Sequence, residues 1–327
     1  MEIGARLLIA TERLPTAAAH APEFEITWEN LSRLGTADVL ILGDSVTQQG
    51  IEPSVLQRAL RRETGDELVV FNAASPGGGV GVSWAIVEQL AREERLPSIA
   101  IVGVFSGTLR SDATYREAFG LTAMGGLFSD CERMDQTGQQ LDCRLAAYSA
   151  AWRWRGHPER ILLALQETVP RRIRSGGLQL REDGFREGRG VPISTLLEQL
   201  DAADLRIRTF AMANEVADGY VRLIETLESH GVTVVPIAIP DTPQLIERME
   251  RMQPGRRQLF RDALDALELR TGLEFVDPVA FGPWWGDGQA RNFAHLSAEG
   301  AVRFTRQLWS MDDFRARLLA GLSGQPG

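Results

Sequence analysis

The chain has 327 residues, 44% of them hydrophobic, and a formal net charge of -9. That length supports one sizeable core, and the acidic balance lacks the basic stripe that tracks a nucleic-acid backbone, so no nucleic-acid partner is expected. All 35 cationic side chains are arginine, which excludes lysine Schiff bases, pyridoxal attachment and a Walker A lysine, and no run reaches the roughly 18 uncharged apolar residues of a membrane span.

Residues 1–37 read as a lead-in to a single α/β domain over 38–327. The first ten residues, with charged Glu2, do not have the pattern of a signal peptide. A short helix is predicted over 28–34. The apolar run 39–42 then forms a first strand and ends in Gly43-Asp44-Ser45-Val46-Thr47. A helix-starting segment follows, then a helix over about 53–63 with proline in its first turn. Strands are predicted at 68–72 and 99–104, with a helix between them that runs to about 95 from the turn Ser75-Pro76-Gly77-Gly78-Gly79. These runs are almost continuously apolar, as strands covered on both faces are.

The middle, about 110–205, breaks the alternation and reads as a mostly helical insertion or cap. It carries Cys131, Cys143, the Trp152-Arg153-Trp154-Arg155 cluster and a Gly/Arg-rich stretch near 182–190. Two cysteines and four scattered histidines make no zinc pattern. A Cys131–Cys143 disulfide and two separate thiols both fit the spacing. The alternation resumes with a helix over about 207–229, a strand at 232–239, one or two helices over 244–270, a strand at 273–277 and a final helix over 297–319. The order predicts a parallel sheet sandwiched by helices.

A serine where a buried strand exits into a helix sits beside free backbone N–H groups and the positive end of the helix dipole. It can attack an acyl carbon there, although the same pattern also fits a capping serine. Four histidines could act as its base. His20 lies in the lead-in, His157 in the insertion and His230 at a helix end, whereas His295 follows the last strand. Functional loops gather at the carboxyl ends of parallel strands, so Ser45 and His295 are expected on one edge of the sheet.

Three blocks resemble those of the SGNH (GDSL-type) hydrolase superfamily. The first is Gly43-Asp44-Ser45-Val46-Thr47. The second is Phe71-Asn72-Ala73-Ala74-Ser75-Pro76-Gly77, where that family has an Asn followed five residues later by an oxyanion-hole glycine. The third is the segment from Phe275 to Ala301, where that family has an Asp three residues before the catalytic His. The resemblance covers the sheet scaffold and leaves out 110–205. It implies a flavodoxin-like parallel sheet, Ser45 as nucleophile and His295 as general base. It also implies an oxyanion hole of the Ser45 and Gly77 N–H groups, and no cofactor or metal. Asp44 would cap the helix or orient the loop.

Two positions depart from that pattern. Asn292 stands where the aspartate is expected, so it would orient the imidazole as an amide, with Asp287 a nearby alternative acid. Gly103-Val104-Phe105-Ser106-Gly107-Thr108 lacks the third-block asparagine, which leaves Ser106 or Thr108 as a hydroxyl donor to the oxyanion. The stretch from Gly43 to Ser54 is also similar to SGNH-like proteins of polysaccharide O-acetylation. That likeness implies acyl transfer to a sugar hydroxyl, a membrane acyltransferase as partner and an extracytoplasmic place, while a cytoplasmic one fits the composition equally. Trp152, Trp154, Trp284 and Trp285 would suit either stacking on sugar rings or core packing. The competing readings are an inactive SGNH-like module that binds a glycan or partner protein, and a phosphate cradle at Gly77-Gly78-Gly79.

Overall fold

A computed structural model describes residues 22–76, 79–109, 144–145, 149, 180–202, 210, 212, 214–278, 288–292 and 294–323. Helix α1 (Pro22–Leu34) precedes β1 (Val39–Leu42), α2 (Ser45–Gly50), α3 (Pro53–Thr64), β2 (Val70–Asn72), α4 (Gly79–Arg92) and β3 (Ile99–Phe105). After the middle segment come α5 (Ile193–Ala202), α6 (Asn214–Ser229), β4 (Thr233–Ile239), α7 (Pro243–Met252), α8 (Arg256–Thr271), α9 (Ala298–Ser310) and α10 (Asp312–Ser323). The expectations on Cys131, Cys143, His20, His157 and the four tryptophans lie outside the described residues.

All strand pairs are parallel, in the order β2-β1-β3-β4. Every residue of β1 and β2 is buried, as the continuous apolar runs require. One core lies between the sheet and α4, α6 and α8, and includes Leu40, Val102, Ile86, Leu223 and Leu264. The other lies between the opposite face and α3, α9 and α10, and includes Ile41, Ile101, Leu56, Phe304 and Phe314. Alternate residues of one strand feed opposite cores, because successive side chains of a strand point to opposite faces. The fold is therefore α/β, a helix–sheet–helix sandwich in flavodoxin-like strand order.

The predicted fifth strand shrinks to one parallel bridge, Ile237 to Val276, with Val276 bonded on both sides to β4. Pro278 has no N–H with which to extend it, and Asp277 is taken by Arg261 in an ion pair. The single final helix is two, broken at extended Met311, and the carboxylates of Asp312 and Asp313 start the second. Pro254 and Gly255 separate α7 from α8.

Chain direction across the sheet reverses between β1 and β3. That reversal is where an open parallel sheet of this kind places its functional loops, and Ser45 follows β1 at this edge.

Candidate active site

Local chemistry starts the helix that carries Ser45. Asp44, in extended conformation, is the N-cap, and its Oδ1 accepts from the N–H groups of Val46 (2.9 Å) and Thr47 (3.1 Å). Ser45 is thus the first helical residue and not the cap. Among the described residues nothing accepts its backbone N–H. Thr47 fills the space under this turn. A Cβ at Gly43 would come within 2.5 Å of its Oγ1, and one at Gly103 within 2.3 Å. Gly43 also holds φ +147, so both glycines are needed for β1, β3 and the turn to close on one another. Asn72 fixes the far end of α2, donating to the carbonyls of Gln48 (3.2 Å) and Ile51 (3.0 Å).

His295 reaches this turn from a loop that precedes α9. Arg291 donates its N–H to the His295 carbonyl at 2.9 Å. Asn292 Oδ1 accepts the backbone N–H groups of Ala294 (3.0 Å) and His295 (2.9 Å). Two backbone donors settle the orientation of the amide, because only its oxygen can face them. That same oxygen lies 2.9 Å from His295 Nδ1, so Nδ1 carries the proton and donates. Nε2 then keeps its lone pair, and Ser45 Oγ, 2.9 Å away, donates to it. The tautomer follows from the network alone.

Electrostatics set the ring's charge. Burial first, then the Arg291 and Arg186 guanidinium groups, push the His295 pKa down to about 4. Among the described residues no carboxylate opposes them at Nδ1. The ring is neutral at neutral pH, an available base but a weak one.

Ser106 lies at the same edge, after β3, with its hydroxyl engaged elsewhere. Its Oγ donates to Asp241 Oδ2 at 2.6 Å, which gives its proton to a carboxylate instead of to an oxyanion. Asp241 is buried at the end of β4, and its pKa is raised to about 6 by desolvation, against the opposing Ser106 hydrogen bond and the Arg256 charge and with the Asp44 charge adding to the rise. Gly77 and Asp287 lie outside the described residues. His230 is exposed just beyond α6, with Nδ1 on the Thr226 carbonyl at 2.8 Å.

A strap over 180–191, the Gly/Arg-rich stretch of the middle segment, closes the site from above. Its turn is fixed by Gly184 at φ +79, whose Cα faces the Asn72 carbonyl so closely that a Cβ would sit 1.9 Å from that oxygen. Asn72 donates its N–H to the Asp183 carbonyl (2.8 Å), and the Val191 N–H donates to the Ala290 carbonyl (2.7 Å). Phe185 anchors the strap in the core, and Arg181 pairs with buried Glu52 at 2.7 Å. This places Arg186 beside His295. Gln49 completes the surroundings, accepting from Arg291 Nη1 at 2.9 Å and donating to the Ser45 carbonyl at 3.3 Å. The composition of 182–190 marked the strap only as unusual. Nothing in the sequence marked Gln49 or Arg291.

No family model matches the chain, and no curated protein matches it. Among solved structures the chain is similar to the crystal structure of TesA, at 15% identity over 86% of this chain and 98% of that chain, with a TM-score of 0.43. A likeness of that size carries no information on substrate or mechanism.

Proposed function

We propose that the chain is a serine-dependent acyl-ester hydrolase or O-acyltransferase of SGNH type, acting on a carbohydrate or another small acylated substrate. The observation that carries this reading is the continuous hydrogen-bonded path Ser45 Oγ–His295 Nε2, Nδ1–Asn292 Oδ1, with both links at 2.9 Å. Nucleophile, base and orienting acceptor stand in the relation that acyl transfer needs.

As Ser45 Oγ bonds to the acyl carbon, its proton passes to Nε2 and the carbonyl electron pair moves onto oxygen. The Ser45 N–H donates to that oxyanion. Collapse expels the alkoxide, which takes the proton from Nε2 and leaves an acyl-serine. Water, or a sugar hydroxyl, then gives its proton to Nε2 as it attacks the acyl carbon, and the second collapse breaks the acyl–Oγ bond and returns that proton from Nε2 to Ser45 Oγ. Water completes hydrolysis, and a sugar completes transfer. Asn292 keeps the ring in the required tautomer while leaving imidazolium without a countercharge. The second reading, an inactive module that binds a glycan or a partner, is favoured by that missing countercharge and by the engaged Ser106 hydroxyl.

A fluorophosphonate probe is expected to label the protein at Ser45, and short-chain aryl acetates to be turned over, with both activities lost in Ser45→Ala. Equal labelling of parent and Ser45→Ala would remove the assignment. Glycan binding without turnover, indifferent to His295→Ala, would establish the second reading instead.

A further inference from the structure

We propose that Arg291 is a substrate-binding residue that makes this site selective for esters bearing an anionic group, a carboxylate or a phosphate, next to the scissile bond; the proposal rests on the reading of Ser45 as nucleophile. Three observations meet here. First, Arg291 is held beside the reacting pair, since its backbone N–H bonds the His295 carbonyl and its Nη1 bonds Gln49, whose own amide bonds the Ser45 carbonyl. Second, the partner of that guanidinium is a neutral amide, and among the described residues Arg291 forms no ion pair with a carboxylate. One Nη is used, which leaves donors in the fork that suits a planar anion. Third, the position is built. The Arg291 stem runs over Gly188, where a Cβ would come 2.5 Å from its Cδ, so the strap carries a glycine where the arginine must pass.

The local charge balance points the same way. Asn292 at Nδ1 is an amide and brings no negative charge to face the Arg291 guanidinium. Among the described residues, Asp44 is committed to the α2 N-terminus and Asp241 to Ser106. An incoming anion would supply the missing negative charge, and a partly buried setting strengthens that attraction.

The test compares three aryl esters at pH 8: 4-nitrophenyl acetate, mono-4-nitrophenyl succinate with the charge on the acyl side, and 4-acetoxybenzoate with the charge on the leaving group. Either anionic ester is expected to exceed the neutral one in kcat/KM, and the preferred one reports where the anion sits. Arg291→Gln should reduce the anionic-to-neutral ratio by roughly ten- to hundredfold, the range of a charge-assisted hydrogen bond. Arg291→Lys should recover part of it. Arg306→Gln, on α9 and away from this cluster, removes the same formal charge and should leave the ratio unchanged, which separates a local contact from net-charge steering. Turnover of the neutral ester with a ratio near one, insensitive to Arg291→Gln, would overturn the proposal and spare the function. If no ester is turned over, the function itself fails. Calorimetry of 4-acetoxybenzoate with Ser45→Ala and with Ser45→Ala/Arg291→Gln then still decides on the anion: tenfold weaker binding in the double variant supports it, and equal binding overturns it.

Discussion

Two serine hydroxyls stand at the carboxyl edge of the sheet, Ser45 after β1 and Ser106 after β3, and each donates to a titratable partner. Ser45 meets the imidazole of His295 at 2.9 Å, and Ser106 meets the carboxylate of Asp241 at 2.6 Å. The partners are displaced in opposite senses by the same cause. Burial lowers His295 to about 4 and raises Asp241 to about 6, since it disfavours the cation in one and the anion in the other. At neutral pH the imidazole is a neutral base, half-buried beside Ser45, whereas Ser106 and Asp241 are buried and line a cavity between β4, α7 and α8. In both pairs a serine hydroxyl donates to a buried or half-buried acceptor, and under the proposed function only the first hydroxyl reacts.

The two pairs should differ most between His295→Ala and Ser106→Ala. The first should cost roughly 10²- to 10⁴-fold in kcat/KM toward an aryl acetate, the range for a lost general base. The second should cost less than about tenfold, because its proton serves Asp241; a loss of roughly 10²- to 10³-fold would instead make it an oxyanion donor. Next in size is Asn292→Asp, which moves a carboxylate to where the first pair lacks one. The two backbone N–H bonds to Oδ1 survive the change. An adjacent negative charge raises a histidine by roughly one to three units. The acid limb of kcat/KM, expected near pH 4 in the parent, should therefore move toward neutrality. Turnover at pH 8 should rise by roughly tenfold, well short of the ~10⁴ that the amide costs in the serine-protease template. Coincident pH–rate profiles for parent and variant would show that Asn292 does not govern the base.

The sheet and the Ser45–His295 pairing were legible because both rest on local signals. Buried parallel strands write themselves as unbroken apolar runs, and the first such run ends at Gly43-Asp44-Ser45. His295 was singled out by its place after a strand, which topology turns into proximity. The Ser106–Asp241 pair joins residues 135 positions apart, with neither in a recognisable pattern, so a hydroxyl expected to face the oxyanion turned to a carboxylate that the sequence offered only as part of a turn. The strap was hidden for a related reason. Its glycines are required by the backbones of Asn72 and Gly288, which approach within the space of a methyl group, and such contacts leave no periodic trace. The break at Met311 was missed because the apolar pattern of α9 continues in α10 without a proline or glycine between them.

The smallest expected effect is on stability, and it tests whether the second pair titrates as its surroundings require. Asp241 is pushed up to about 6 from an unperturbed 3.8, so its contribution is fully present below that lower value and is lost as pH rises to about 6. Above that it costs on the order of 3 kcal/mol. His295, pushed down to about 4 from 6.5, runs the other way, and its stability is lost as pH falls through that window. The charges that bear on the two groups are Arg256 and Asp44 for the first, Arg291 and Arg186 for the second. Between about pH 4 and 6 the slopes of these two groups oppose one another. Asp241→Asn keeps an acceptor for Ser106 and removes one slope. Urea unfolding at pH 4.5, 5.5 and 7 should then show the variant gaining stability relative to the parent as pH rises, by roughly 2 kcal/mol across that range. A difference between the two proteins that does not change with pH would mean that the Asp241 carboxyl titrates outside this range, and the contrast with His295 would lose its electrostatic basis.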